Sequence, residues 1–266
     1  LGRLSQPDAI LTTGDEVHVS SVEMYQAATT WLGKFGVPVH TVTGNHTFWS
    51  AGDKHKEPAT VLYRRWLDAF GETLPDSWEI AGVRFVGVGP DSQGKLSADA
   101  SISSQQVRDL ATVLAQAPTQ PTVVVMHSPL RHTVLADAMG NCYTSDQAGF
   151  YQLQSDAIQG VLAASPQVAL VISGHTHSPL RANGLLALVE SGDRIIPHFN
   201  AMAVPFLRRL TAEGPTGPQP LITWELGIGD KHMWLLGRDH LSQTDVATAV
   251  VPLTTSTAAP STSVQL

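Results

Sequence analysis

The sequence predicts an α/β fold whose strands are covered on both faces, and three observations carry that prediction. The runs AILTTG (9–14), TVVVM (122–126) and VALVIS (168–173) are apolar rather than alternating, as strands buried on both sides are. Segments of helical periodicity stand between them, giving the order strand, helix, strand. After Gly184 that periodicity stops, and LLALVE, RIIPHF, LITWEL and HMWLLG read as strands.

Each element has its own local signal. AILTTG opens as a short strand, and Ser20 with Glu23 forms a capping-box pattern for the first helix. Its expected core face is Met24, Ala28, Trp31, Leu32 and Phe35, and Gly36 ends it. PVHTVTG (38–44) is the second strand. Ala59 to Phe70 repeats apolar residues at helical spacing and stops at Gly71. WEIAGVRFVGVG (78–89) reads as a hairpin turning at Ala81-Gly82. Ser103 and Gln106 cap a third helix with the face Val107, Leu110, Ala111 and Leu114. Leu153 to Ala164 is a fourth helix. Near the C-terminus, Gly227-Ile228-Gly229-Asp230 predicts a hairpin between the last two strands, and TAEGPTGPQP (211–220) a loop. From about Val250 the chain becomes rich in Ser, Thr, Pro and Ala, so residues 1–249 are expected to form one domain and 250–266 a flexible tail.

Composition narrows the function classes. A chain of 266 residues can bury a large core. Its formal charge of −7, with basic residues scattered, argues against a nucleic-acid-binding surface but allows a small phosphorylated substrate held by a metal. Cys142 is the only cysteine, which excludes an intrachain disulfide and a cysteine-rich zinc knuckle. No apolar run is long enough to span a bilayer, so no membrane partner is expected. The chain opens with neither an initiator Met nor a signal peptide, and its compartment and oligomeric state stay open.

The chemistry gathers where the apolar strands end. The first runs into Gly14-Asp15, the second into Gly44-Asn45-His46, the third into His127, and the fourth into Gly174-His175-Thr176-His177. Strands that deliver carboxylate, amide oxygen and imidazole at their C-terminal ends build a crevice of the kind where α/β sheets bind ligands. Asp15, Asn45, His127, His175 and His177 make an N/O donor set suited to zinc, manganese, iron or cobalt.

GD, GNH, a lone His after a VVVM strand, and GHTH, in that order, resemble the calcineurin-like metallophosphoesterases. The similarity extends from residue 1 to about 240 and includes PDAILTTGD, SSQQVRDL before TVVVMH, and PQVALVISGHTH. The nearest look is to the small cyclic-nucleotide phosphodiesterase-like branch. The resemblance implies a four-layer α/β/β/α sandwich with a two-metal cleft. It places Asp15 between the metals, Asn45, His127 and His175 on the second metal, and His177 on the first. It sets His46 beside the leaving group as a proton donor or a stabiliser of negative charge. Two ions about 3.5–4 Å apart would activate a water for in-line attack.

The pattern departs from the family in two places. The opening Asp-x-His strand, which supplies the other ligands of the first metal, is absent, so the domain is expected to be N-terminally incomplete, with one weakly held ion and little activity. Asp53-Lys54-His55 and Asp230-Lys231-His232 are the only comparable triplets, the latter read as a hairpin turn. Thr47 stands where an acidic residue commonly orients the histidine. His18, Trp49 and Arg131 are the candidates for substrate contact, with His132 beside them, whereas His198 and Asn200 are read as structural. The expected function is metal-dependent hydrolysis of a phosphodiester or small phosphomonoester, a nucleotide among the candidates. The alternative is a catalytically weak phosphoesterase-fold scaffold or binding module with one residual metal site.

Overall fold

The computed structural model describes residues 7–50, 57–71, 73–91, 101–135, 143–177, 186–201, 222–239 and 243–253. Its centre is a six-stranded mixed sheet in the order β3-β4-β5-β6-β8-β7. These strands are Asp76–Ile80 (β3), Val83–Val88 (β4), Thr122–Met126 (β5), Val168–Ser173 (β6), Leu186–Ser191 (β7) and Arg194–Asn200 (β8). The four inner strands run parallel, while β3 and β7 close the edges antiparallel. Every residue of β4, β5 and β6 is buried, as their mostly apolar sequences lead one to expect.

Both faces of that sheet are covered. Helices Ser104–Ala115 (α3) and Ser155–Ala163 (α4) lie on one face, where Leu110, Leu114, Ile158 and Leu162 meet Val86, Val124, Met126 and Val171. Against the other face pack Met233, Leu235, Ala249 and Val251 from a three-stranded antiparallel sheet, joined by Val42 and Leu11. That sheet comprises Ile222–Ile228 (β9), His232–Asp239 (β10) and Thr244–Pro252 (β11). The parallel pair Ile10–Leu11 (β1) and Val39–His40 (β2) makes a separate short sheet. Helices Val22–Gly33 (α1) and Ala59–Phe70 (α2) pack around Val17, Tyr25 and Trp66 with Phe70 and Leu74. The expected helix, sheet, sheet, helix layering is therefore present.

Local signals placed most elements correctly. Gly71 ends α2 in the left-handed region at φ 75°. Ser103 and Gln106 close a reciprocal capping box on α3. Ala81 and Gly82 both take positive φ, 50° and 79°, as a two-residue hairpin loop that matches strand twist. The β9–β10 pair is an antiparallel hairpin with Gly229 N–H donating to His232 O, so Asp230-Lys231-His232 is the turn it was expected to be.

Four details differ. The cap of α1 is Ser21, which accepts from Met24 N–H at 3.2 Å; Ser20 is fully buried and donates instead to Leu62 O. The buried face of α1 is Tyr25 and Leu32, leaving Met24, Trp31 and Phe35 exposed. The helix is thus turned by one residue, about 100°, because Tyr25 fills the space beside Trp66. The first two strands shrink to two residues each, since their ends bend into the site. Finally β11, unforeseen in the sequence, runs to Pro252 and carries the ordered fold past Val250, where a tail was expected. Asp53 and His55 lie outside the described residues.

Two buried arginines close the helix C-termini. Arg194 on β8 donates to the carbonyls of Leu162, Ser165, Pro166 and Val168 at the end of α4. Arg84 on β4 donates to the Val113 carbonyl of α3 and to the side-chain Oε1 of Gln116, the residue that caps it. Arg194→Ala is expected to cost about 3 kcal/mol or more, because buried carbonyls lose a charged donor each worth about 1.5–3 kcal/mol. Urea unfolding measures it, and a loss within error of zero would contradict this account.

Candidate metal centre

The site lies between two sheets rather than along one edge. Asp15 and Asn45 follow β1 and β2, and His127 and His175 follow β5 and β6 of the large sheet. Gly174 N–H donates to His127 O at 2.8 Å, so the ends of β5 and β6 hold their histidines side by side. Gly14 and Asp15 take φ 89° and 62°, a left-handed turn that swings the carboxylate back across the strand ends. A Cβ on Gly14 would stand 2.9 Å from Val42 O and 3.0 Å from His127 Nδ1. On Gly44 it would collide with the Asp15 carboxylate itself.

Three potential ligand atoms converge on a fourth, His127 Nε2. Asn45 Oδ1 is 3.1 Å away, His175 Nδ1 3.0 Å and Asp15 Oδ2 3.2 Å. Asp15, His127 and His175 offer ligand atoms within 4.8 Å of one another. The other nitrogen of each histidine is committed elsewhere. His127 Nδ1–H donates to Thr13 O at 2.6 Å, and His175 Nε2–H to Gly149 O at 2.7 Å. Neutral rings so arranged turn two bare lone pairs toward a carboxylate and an amide oxygen. Four acceptor atoms face each other, and without a cation a proton such as one on His127 Nε2 is needed to reconcile them. The donor set therefore fits a first-row divalent ion held by nitrogen and oxygen.

The electrostatics agree. Burial pushes the Asp15 carboxyl upward, but His127 and His46 outweigh it and hold it at about 2. Burial pulls His127 down, yet Asp15 raises it above the ordinary imidazole value. Burial, then the neighbouring His127, depress His175 to about 3. The pair Asp15–His127 thus carries a proton in a place where an ion would replace it.

The remaining candidates divide. His46 N–H donates to Asp15 Oδ1 at 2.9 Å, and its Nε2 is 3.8 Å from Asp15 Oδ2. Its Nδ1 lies 2.6 Å from the carbonyl of His18, which orients the ring. Burial, partly offset by Asp15, lowers its pKa. Thr47 accepts from Gly44 N–H and so closes the short 3-10 turn Asn45–Phe48 rather than steering His46. His18 and Trp49 gather on His46, with ring centroids 5.0 and 3.6 Å away. His177 is exposed at φ 50° and lies outside the donor cluster. Arg131 is exposed and sits 5.2 Å over the Tyr151 ring.

Asn200 has the structural role expected of it, and two other features were missed in the sequence. Asn200 donates to Gly174 O and Ser173 Oγ and accepts from Thr176, so it anchors the GHTH turn. Glu16 is half-buried next to Asp15, held by the hydroxyls of Thr12 and Thr41, and desolvation raises its pKa despite them. Gly149 and Phe150 reach His175 from a segment, SDQAGFYQ, with no motif to mark it.

Comparison with known proteins gives matches in sequence and in fold. The model of one protein family, described as calcineurin-like phosphoesterase, matches residues 1–179. A protein of Synechococcus sp. named as a probable cyclic nucleotide phosphodiesterase is 27% identical over 180 residues, covering 66% of this chain. The match spans 61% of that relative's length. The crystal structure of a dimetal phosphatase from Danio rerio superposes with a TM-score of 0.63 at 16% identity, over 94% of this chain and 84% of its own. The structure of PhoD gives a TM-score of 0.55 at 11% identity, over 91% of this chain and 64% of its own. The structural matches share the layered fold.

Proposed function

Because this chain belongs to the calcineurin-like phosphoesterase family, we propose that it acts on a small phosphoester with the help of divalent metal. The observation that carries the reading is the convergence of Asp15 Oδ2, Asn45 Oδ1 and His175 Nδ1 on His127 Nε2, each within 3.2 Å of it. These four would hold one ion, and Asp15 with His177 would offer ligands to a second. Bound metal supplies an acidified water and charge neutralisation at the phosphoryl oxygens.

The chain's own residues do the rest. Thr13 O and Gly149 O keep the two ligand rings in the tautomers that expose a lone pair. His46, pinned by its Nδ1–H on the His18 carbonyl, turns Nε2 to the Asp15 side, where as the doubly protonated imidazolium it would give a proton to a leaving oxygen or stabilise its charge. The His18 and Trp49 rings beside it form the wall a substrate's organic group would meet. The name of the Synechococcus relative adds nucleotide phosphodiesters to the candidate substrates. The formal charge of −7 disfavours nucleic acid. Among the described residues no helix is long and apolar enough to cross a membrane.

One observation favours a second reading. Among the described residues there is a single cluster of three or more His, Cys, Asp or Glu donors, as a binding module with one residual ion would have. Calorimetric titration with Mn²⁺, followed by turnover of bis(p-nitrophenyl) phosphate and p-nitrophenyl phosphate, separates the two. Metal-dependent turnover abolished by EDTA supports the hydrolase. Binding of one ion without turnover supports the binding module, and no binding at all overturns both.

A further inference from the structure

The segment 143–150 lies against the GHTH turn, and we propose that Gly149 and Phe150 act as the positioning device of His175, selecting the ring nitrogen that faces the ion. The inference rests on the metal-centre reading above. His175 cannot orient itself: its backbone stands at φ 68°, and its ring has an axis about which it can turn over. Two contacts remove that freedom. The Gly149 carbonyl accepts from Nε2–H at 2.7 Å, which leaves Nδ1 as the lone pair directed toward His127 Nε2, 3.0 Å away. The Phe150 ring lies over the imidazole at 5.1 Å and 30°, and Tyr143 backs Phe150 at 4.2 Å and 9°.

Apolar burial alone does not account for this ladder. Phe150 is only half-buried and Tyr143 is 44% exposed, so the rings hide little surface for the order they impose. The most buried ring of the ladder is His175. The segment is itself secured to the stretch that follows the other histidine ligand. Ser145 N–H donates to Val134 O, Ser145 Oγ accepts from Val134 N–H, and Gln152 N–H donates to Pro129 O. Gln152 Nε2 adds a bond to Ser128 O, next to His127. One loop thereby ties the geometry of His127 to that of His175, although the two are far apart in sequence. Outer partners of metal-bound histidines typically govern about 10–100-fold in metal affinity.

The test is Mn²⁺ affinity by calorimetry for the wild type, Phe150→Ala, Phe150→Tyr and His175→Ala, with the metal-free melting temperature of each. Phe150→Ala is expected to bind about 10–100-fold more weakly while melting like the wild type without metal, and Phe150→Tyr, which keeps the ring, to bind normally. Long-range proton–nitrogen correlation spectra of the metal-free wild type should show His175 protonated at Nε2. Wild-type affinity in Phe150→Ala, with binding lost in His175→Ala, would overturn this inference and leave the metal centre standing. An Nδ1–H tautomer in the wild type would overturn it even if Phe150→Ala failed to fold. A wild type that binds no Mn²⁺ would overturn both.

Discussion

His127→Ala is expected to abolish measurable Mn²⁺ binding and, with it, any metal-dependent turnover. Three other donors sit within 3.2 Å of His127 Nε2, so its removal opens the middle of the cluster rather than one corner. The loss should exceed the about 10–100-fold attributed to outer partners. The substitution has a second consequence, in the metal-free protein. Asp15 is held at about 2 because His127 and His46 oppose the cost of its burial. Its depressed pKa contributes stability above the ordinary carboxylate value near 4, lost as pH falls through about 2. His127 has a raised pKa, so its share of the same interaction is complete below about 6.5 and is lost as pH rises through the folded value. The stability difference between wild type and His127→Ala should therefore be largest between about pH 4 and 6.5. Urea denaturation across pH in EDTA measures it. A difference that grows steadily toward pH 9 would show that the pair is not what stabilises the site.

Gly44→Ala is the second large effect, and it involves no ligand atom. Gly44 has an ordinary extended backbone, φ −116° and ψ −172°, so alanine meets no torsional barrier there. The cost is contact. The added methyl would overlap the Asp15 carboxylate and stand 2.9 Å from His127 Cε1. One of the two must move, and Asp15 is fixed by the left-handed turn at Gly14 and by the His46 N–H. Mn²⁺ affinity is expected to fall by about 100-fold, comparable with the strongest effects of disturbing a ligand's surroundings. Stability should fall by about 1–3 kcal/mol from overpacking. Calorimetry beside a melting curve separates the two, and unchanged affinity would mean that the site yields more readily than its packing implies.

The orientation of His46 shows how a departure from the family pattern is made good. Thr47 occupies the position where an acidic residue was expected to steer the histidine, and it is spent on the Gly44 amide. The His18 carbonyl, 28 positions away in the chain, takes over at 2.6 Å. A main-chain oxygen leaves no trace in residue identity, so no reading of the sequence could have named it.

The sequence alone determined the layered α/β class, the ends of α2, the start of α3, both hairpins, and the residues that gather at the strand ends. Those features follow from short-range rules: periodicity, capping chemistry and the glycines that turns require. Only the tertiary structure decided which face of α1 is buried, because Met24, Trp31 and Phe35 form as good an apolar stripe as Tyr25 and Leu32 until Trp66 settles the choice. It also decided that the donors come from two opposed sheets, that His177 stands apart from the cluster, and that Thr13 O, Gly149 O and Phe150 orient the histidines. The physical reason is the same in each case. A ligand's identity is written in its side chain, but its direction is imposed by carbonyls and rings brought to it by distant parts of the chain.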